Sequence, residues 1–446
     1  VIPAASTIFA LSSGHGRAGV AIIRISGPAA GAALDTIAGL PRPKPRYAAL
    51  RKLRHPETRA VLDQALVLFF AGPKSETGED IAELHVHGGR AVIASVLAAL
   101  NTVPHCRPAE PGEFARRAFE NGKLDLTALE GLADLVDAET EAQRAQAVLQ
   151  AGGALARLYD GWRSDMLHAL ALMEAGIDFS DEGDVGARTM TEARAVVALL
   201  EAALSGHVAG ANRGEIVRDG FRVVLAGAPN AGKSSLLNAL ATRDVAIVSP
   251  EPGTTRDVIE VRLDLGGHAV VVSDTAGIRE TASPIEQEGI RRTGERIRSA
   301  DLVLWLSETE TDPSEPGSDG GAECWVVRTK IDLAAEQTKH PGARHAVSVV
   351  TGQGLDSLTR AIAEAARSAS SSGRHDGQPV PTTMRHRRHL ELAIGHLRQV
   401  LTGPTAEPEL LAEELRLAAA HLGRLTGRID SEDVLGAIFG RFCIGK

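Results

Sequence analysis

The chain has 446 residues, enough for two to four domains that each bury a core. Aromatic residues make up only 3%, and a formal net charge of −9 argues against a nonspecific, electrostatically driven nucleic-acid binder while leaving room for local basic patches. Three scattered cysteines, Cys106, Cys324 and Cys443, form neither a disulfide framework nor a C-x-x-C metal site, so a reducing cytoplasmic setting is expected.

At the N-terminus, Val1 in place of Met implies trimmed first residues, and no basic-then-apolar signal pattern follows. No apolar run approaches membrane-span length, so no membrane partner is expected. Residues 1–121 alternate apolar runs, at 20–25 and 65–70, with turn clusters, which is the pattern of an α+β domain. Glu83, His85 and His87 alternate on one strand face and could mimic metal ligands. Polar strand residues beside a pocket are the better reading, because a metal would need a more convincing geometry. From 122 to 216 the pattern is helical, with Ala/Leu-rich stretches over 143–158 and 191–204.

Residues 222–226 (RVVLA) read as a buried strand and 235–240 (SLLNAL) as the first turns of a helix. Between them, Gly227-Ala228-Pro229-Asn230-Ala231-Gly232-Lys233-Ser234 matches G-x-x-x-x-G-K-[ST] in the strand–loop–helix context that makes the pattern a phosphate site. Gly227 and Gly232 let successive N–H groups turn inward on an anion at the positive end of the helix dipole. Lys233 would reach the β- and γ-phosphates, and the Ser234 hydroxyl would take one position on Mg²⁺. Asn230, Ala231, Gly232, Lys233, Ser234 and Ser235 are therefore the expected phosphate-side contacts of a nucleoside triphosphate.

Two further elements read as a switch. Gly253-Thr254-Thr255-Arg256-Asp257 supplies Thr255 to the same Mg²⁺, and Thr254 and Ser249 border the nucleotide. Asp274-Thr275-Ala276-Gly277 closes the apolar strand 269–272; Asp274 would hold the metal through water and the Gly277 N–H would sense the γ-phosphate. After a third apolar run at 324–328, Thr329-Lys330-Ile331-Asp332 resembles the guanine-reading N-K-x-D element of GTPases, with Thr in place of Asn. The Asp332 carboxylate can accept from guanine N1–H and its 2-amino group, a donor pair that adenine lacks. Thr329 is shorter than Asn but can still donate to the base or to the phosphate loop, so guanine specificity is expected to survive. Ser348-Val349-Val350-Thr351-Gly352-Gln353-Gly354 resembles the S-A-x-x-G-x-G loop beside the base, with the Val349 N–H serving where Ala is usual.

The α/β G domain then occupies 217–370, preceded at 122–216 by the first segment of a helical domain. Residues 371–446 hold a Ser/Gly/Pro-rich flexible linker, beginning near Ser368, and the second helical segment, including 408–422. The simplest architecture inserts the G domain into a helical domain built from both flanks.

Taken together, these elements resemble the tRNA-modification GTPase family called MnmE or TrmE, with its TrmE-type Ras-like G domain, over essentially the whole chain. Residues 19–27 (GVAIIRISG), 77–80 (TGED), 107–114 (RPAEPGEF), 123–126 (KLDL) and the closing FCIGK carry the resemblance alongside the phosphate loop. It implies an N-terminal domain that forms the homodimer and binds a reduced folate, 5,10-methylenetetrahydrofolate or a 5-formyl analogue, through Arg24, Glu83, Lys123 and the terminal Lys446. Those charges suit the ligand, since a glutamate tail wants cations and pterin N–H groups want a carboxylate. The resemblance also suggests a modification role for Cys443, against the competing reading of a buried structural thiol. The basic cluster Arg385-His386-Arg387-Arg388-His389 reads either as a tRNA-phosphate contact or as a solvated helix start.

For catalysis the resemblance implies a potassium ion held by the Asn230 side chain and by backbone carbonyls of Ser249, Glu251 and Thr254, in a loop stiffened by Pro250 and Pro252. It assigns Glu286 to the positioning of the attacking water, with Lys233 on the phosphates. It further implies an FAD-containing partner, MnmG (GidA), in a heterotetramer or larger complex. The joint reaction would place an aminomethyl or carboxymethylaminomethyl group on carbon 5 of the wobble uridine of certain tRNAs. A regulatory GTPase, such as a ribosome-assembly factor, would share the G-domain elements but have no need of Arg24, Glu83, Lys123 or the C-terminal tail.

Overall fold

The computed structural model describes residues 6–14, 16–178, 184–242, 247, 260–274, 297–308, 322–333, 343–371, 379–404, 407–429, 438–439, 442 and 445. The chain divides into two compact units: residues 1–133, 150–164 and 419–446 form one, and residues 134–149 and 165–418 the other.

In the first unit, β1 (Thr7–Leu11), β2 (Ala18–Ser26), β3 (Ala49–Arg54), β4 (Val61–Phe70), β5 (Ile81–Gly88) and β6 (Cys106–Pro108) form a sheet in the order β3-β4-β5-β2-β1-β6. Its neighbours run antiparallel except for β1 and β6. The period-two alternation sorts the side chains. Ile23, Ile25, Val67, Leu84 and Val86 pack with Leu34 and Ile37 of α1 (Ala30–Ala38) and with Val96 and Leu100 of α2 (Arg90–Asn101). The intervening Arg24, Glu83 and His85 take the other face.

The T-G-E-D turn joins this sheet to α3 (Glu113–Glu120) and the residues after it. Ser26 Oγ donates to Glu79 Oε2 at 2.7 Å, Arg117 donates to Glu79 at 3.1 Å, and Asn121 Nδ2 donates to the Thr77 carbonyl at 2.7 Å. Near the chain end, Phe439 and Phe442 pack on Ala115 of α3 and on Leu126 and Leu129 of α4 (Leu126–Asp137).

In the second unit, β7 (Phe221–Gly227), β8 (Glu260–Leu265), β9 (His268–Asp274), β10 (Leu302–Ser307), β11 (Glu323–Arg328) and β12 (His345–Ala346) form a sheet in the order β12-β11-β10-β7-β9-β8. All neighbours are parallel except the β8–β9 hairpin. The chain moves to opposite sides of β7, so a crevice opens beyond the carboxyl end of that strand, where ligands of such sheets bind. Leu236, Leu237 and Leu240 of α9 (Lys233–Ala241) and Leu358 and Ile362 of α10 (Leu355–Ser371) share the core with Val223, Leu225, Leu304 and Val327.

The hairpin ends in a two-residue turn, Gly266 and Gly267, with φ of 66° and 86°, the left-handed pair such a turn requires. The Gly267 carbonyl accepts from the Ala142 N–H at 3.0 Å, in the first turn of α5 (Glu141–Ala151). Thr140 and Gln143 complete that helix start. Gln143 Oε1 accepts from the Glu139 and Thr140 N–H groups at 2.9 and 3.1 Å, and Thr140 Oγ1 accepts from the Gln143 N–H at 3.4 Å. Together they form a capping box. Arg262 of β8 pairs with Glu139 at 3.3 Å.

Among the described residues, further helices are α6 (Ala154–Asp178), α7 (Asp184–Ala209), α8 (Ala211–Asp219), α11 (Met384–Thr402) and α12 (Pro408–Thr426). The architecture is thus an α+β domain, helices from both flanks, and an inserted P-loop α/β domain.

Three expectations change. The helical stretch 143–158 is broken between α5 and α6 at Gly152 and Gly153, where Gly153 has φ 75°, outside the helical region. The linker begins later than Ser368, because α10 continues to Ser371 and Ser370 Oγ donates back to the Ala366 carbonyl at 2.8 Å. Finally, the helical stretch Gly186–Asp219 is long enough, with a mean hydropathy of 1.3 over eighteen residues, to cross a membrane. Its apolar character comes from Ala, Val and Leu, and Ala193, Val197, Leu200 and Leu204 are buried on a helix that packs against α11.

Candidate functional site

Strand β7 delivers Gly227 into the crevice. Its φ is 135°, and a β-carbon there would overlap the Leu306 carbonyl, so only glycine allows β7 and β10 to run this close. Asn230 (φ 68°) and Gly232 (φ 90°) both adopt left-handed backbone, which curls the loop before α9 begins at Lys233. Lys233 is buried, and its Nζ donates to the Gly227 and Ala228 carbonyls at 2.8 Å each. The ammonium is therefore held over the loop's own backbone. Asn230, Ser234 and Ser235 are exposed, whereas Ala231 is buried.

At the end of β9, Asp274 is 2% exposed. Its Oδ2 accepts from Ser234 Oγ at 2.6 Å. Two hard oxygen donors thus meet at the N-terminus of α9, the donor chemistry that a Mg²⁺ ion selects.

At the T-K-I-D element, Thr329 is 4% exposed and follows β11 directly. Its Oγ1 donates to the Ala231 carbonyl at 2.8 Å, tying this element to the phosphate loop. Lys330 has φ 55° and pairs with Glu308, a partner that the sequence pattern did not single out. Asp332 lies exposed in the short 3-10 turn Ile331–Leu333. The Ile331 N–H donates to the Val347 carbonyl at 3.5 Å, which brings the Ser348–Val349 loop alongside. Ser348 is fully buried; its N–H donates to the Gln353 carbonyl at 2.9 Å and its Oγ accepts from the Thr351 N–H at 3.1 Å. Val349 packs its side chain on the core. The phosphate-loop residues, Ser234 with Asp274, Thr329 to Asp332, and Ser348 with Val349 therefore surround one end of one sheet.

In the first unit, Arg24 and Glu83 face each other in register across β2 and β5. Arg24 Nε and Nη2 donate to Glu83 Oε1 at 3.2 and 3.0 Å, and Nη1 pairs with Glu76 Oε2 at 2.7 Å. Lys123 is exposed, and its side chain passes beside Gly78 in the T-G-E-D turn. Gly445 accepts from Ser12 Oγ at 2.7 Å through its carbonyl, and a β-carbon at Gly445 would overlap the Leu11 carbonyl. Gly445 thus lies against β1, whose Ala10 is the register partner of Arg24. Burial alone would push the Glu113 carboxyl up, but N–H donors from Arg107, Glu110 and Arg117 outweigh it and hold the group below the usual carboxylate range.

His85 bonds to Glu83 at 3.2 Å and His87 to Asp63 at 2.8 Å, so the two imidazoles serve different carboxylates. Among the described residues, no group of three or more His, Cys, Asp or Glu is placed to hold a metal. In the basic cluster, His386 is buried and Arg387 pairs with Glu215 at 3.4 Å, leaving Arg388 exposed. Ser249, Glu251, Thr254, Thr255, Thr275, Ala276, Gly277, Glu286, Cys443 and Lys446 lie outside the described residues. The partners missed from sequence, Glu76 and Glu308, sit far along the chain from Arg24 and Lys330, and no local spacing pointed to them.

The sequence profile for the GTP-binding protein TrmE N-terminus matches residues 7–123, and that for the MnmE helical domain matches residues 126–443. The tRNA modification GTPase MnmE of Methylorubrum populi is 55% identical over 444 residues, covering 99% of this chain and 98% of that protein. Its counterpart in Beijerinckia indica is 54% identical over 441 residues, covering 99% and 96%. The Rhodopseudomonas palustris protein is 51% identical over 447 residues and 100% of both chains. Among solved structures, the G domain of the T. maritima FeoB iron transporter is 29% identical, covering 32% of this chain and 98% of that one. Its TM-score of 0.24 is too low to carry weight. Identity above half along the entire length, with both domain profiles in place around the phosphate loop, means that the chain belongs to the tRNA modification GTPase MnmE family.

Proposed function

We propose that this chain hydrolyses GTP in the service of tRNA modification, adding a (carboxymethyl)aminomethyl group to carbon 5 of the wobble uridine together with an FAD-containing MnmG partner. The observation that carries the reading is Ser234 Oγ lying 2.6 Å from Asp274 Oδ2 beside the buried Lys233. These groups fit a magnesium nucleotide: Lys233 would leave the loop carbonyls for the phosphate oxygens, and Ser234 would take the metal with Asp274 one water away. When bound there, Mg²⁺ neutralises charge on the β- and γ-phosphates. Asp332 reads guanine, and Thr329 braces the loop that holds the phosphates.

Asn230, exposed at the tip of the loop, supplies a side-chain oxygen to potassium, with Ser249, Glu251 and Thr254 as the further ligands. Thr255 completes the magnesium side, and Glu286 positions the attacking water. In the N-terminal domain, Arg24, Glu83, Lys123 and Lys446 bind the reduced folate that supplies the one-carbon unit. The position of Gly445 on β1 supports the inclusion of Lys446. The domain also makes the homodimer, and the cytoplasm, where tRNA and GTP meet, is the place of action.

The test is GTP turnover by the purified chain in potassium chloride against sodium chloride at equal ionic strength. Potassium should stimulate turnover at least about tenfold through added charge stabilisation, and Asn230→Ala should abolish the difference. Equal rates in the two salts would remove the cation from the reading.

A further inference from the structure

We propose that His85 is a positioning residue of the folate site: it holds the outer oxygen of Glu83 away from the Arg24 guanidinium, so that this carboxylate can accept a hydrogen bond from the ligand. The inference rests on the folate reading above.

An arginine and a carboxylate left to themselves settle as a bidentate pair, with two N–H groups on two oxygens. Here the pair is built differently. Arg24 Nε and Nη2 converge on the single oxygen Oε1 of Glu83, at 3.2 and 3.0 Å, while Nη1 is drawn off by Glu76 at 2.7 Å. The second oxygen, Oε2, bonds instead to His85 Nε2 at 3.2 Å. A carboxylate only accepts, so Nε2 carries the proton and the ring is either the Nε2–H tautomer or the imidazolium.

Each carboxylate oxygen offers two lone-pair sites. Arg24 uses both on Oε1, and His85 uses one on Oε2. The remaining site on Oε2 is the acceptor left for a ring N–H or amino group of the ligand. The strand register fixes the imidazole in this position. His85 sits two residues beyond Glu83 on the same face of β5, between Ile22 of β2 and Leu66 of β4. The side chains of Arg24, Glu83 and His85 are 18%, 15% and 26% exposed, so the network is shielded yet still open to a solute. Without the imidazole, no other described group bonds Oε2 to oppose rotation of Glu83 into the bidentate geometry. A ligand donor would then compete with a guanidinium for both oxygens.

The experiment is calorimetric titration of the full chain with 5-formyltetrahydrofolate, using wild type, His85→Leu, His85→Gln, Glu83→Gln and the His85→Leu/Glu83→Gln double variant. His85→Leu should weaken binding about tenfold, the scale of one hydrogen bond to a charged group. His85→Gln, whose amide N–H can replace the imidazole donor, should stay within about threefold of wild type. In the Glu83→Gln background, adding His85→Leu should change nothing further. Wild-type affinity in His85→Leu would overturn the positioning role and leave the folate reading standing. So would equal losses in the Leu and Gln variants, which mark a packing role. If wild type fails to bind the probe, the folate reading falls and takes this proposal with it.

Discussion

Thr329 makes the phosphate loop and the T-K-I-D element one object. Its hydroxyl, buried after β11, donates to the Ala231 carbonyl and so fixes the distance between the two. Thr329→Val removes the donor at nearly constant volume and leaves a buried carbonyl unsatisfied. Affinity for a fluorescent guanine nucleotide should fall about tenfold by equilibrium titration, and Thr329→Ser should restore it. Equal affinity in the Val variant would strip the hydroxyl of this role. The phosphate loop, the D-T-A-G stretch and the T-K-I-D element could be picked out in the sequence because each is short and local. The choice of Ala231 as the partner of Thr329, rather than the base, could not. It depends on β10 lying between β7 and β11, which brings the ends of two distant segments together. Glu76 escaped notice for the same reason: it reaches Arg24 from a turn, across a strand boundary.

Among the elements, α5 shows how closely a helix start can be specified. Thr140 and Gln143 form a capping box, and the Gly267 carbonyl satisfies a further N–H of the first turn. Thr140→Ala should lower stability by about 1 kcal/mol, read as a shifted urea midpoint, and Thr140→Ser should recover most of it. An unchanged midpoint would mean that the Gly267 carbonyl and solvent suffice. The strands and helices of this chain were readable because their apolar periods are strong, as in residues 222–226 and 235–240. The helix break at Gly152–Gly153 was not, because the alanine-rich pattern continues on either side and only the backbone reveals the left-handed residue. The extension of α10 through Ser371 was hidden by composition: serines typical of linkers can also return their hydroxyls to helix carbonyls, as Ser370 does.

For the whole molecule, two titrating groups, the half-buried His207 and the buried Glu113, set an acid limit. His207 on α7 is pushed down from 6.5 to about 4, chiefly by burial, with His386 nearby adding to the effect. Between those values the unfolded chain binds more protons than the folded one. The stability tied to this residue is therefore whole above pH 6.5 and drains away as the pH falls toward 4. Allowing for partial solvent contact, the loss is about 2 kcal/mol. Glu113 acts in the same direction: its depressed folded value contributes stability above the unfolded carboxylate range, which is lost as the pH falls through the folded value. Thermal unfolding should shift downward from pH 7.5 to pH 5, and His207→Gln should reduce that shift. An identical shift in the variant would assign the acid sensitivity elsewhere.

The tip of the β8–β9 hairpin carries a last consequence. Exposed two-residue turns are ordinarily where a chain tolerates extra residues at little expense. Here the turn's carbonyl is the lid on another helix, and a β-carbon added to the glycine that bears it would meet Glu141 at van der Waals distance. A single added residue would move that carbonyl off the Ala142 N–H and swing the turn against the helix start. The length of this loop is therefore as constrained as a core side chain.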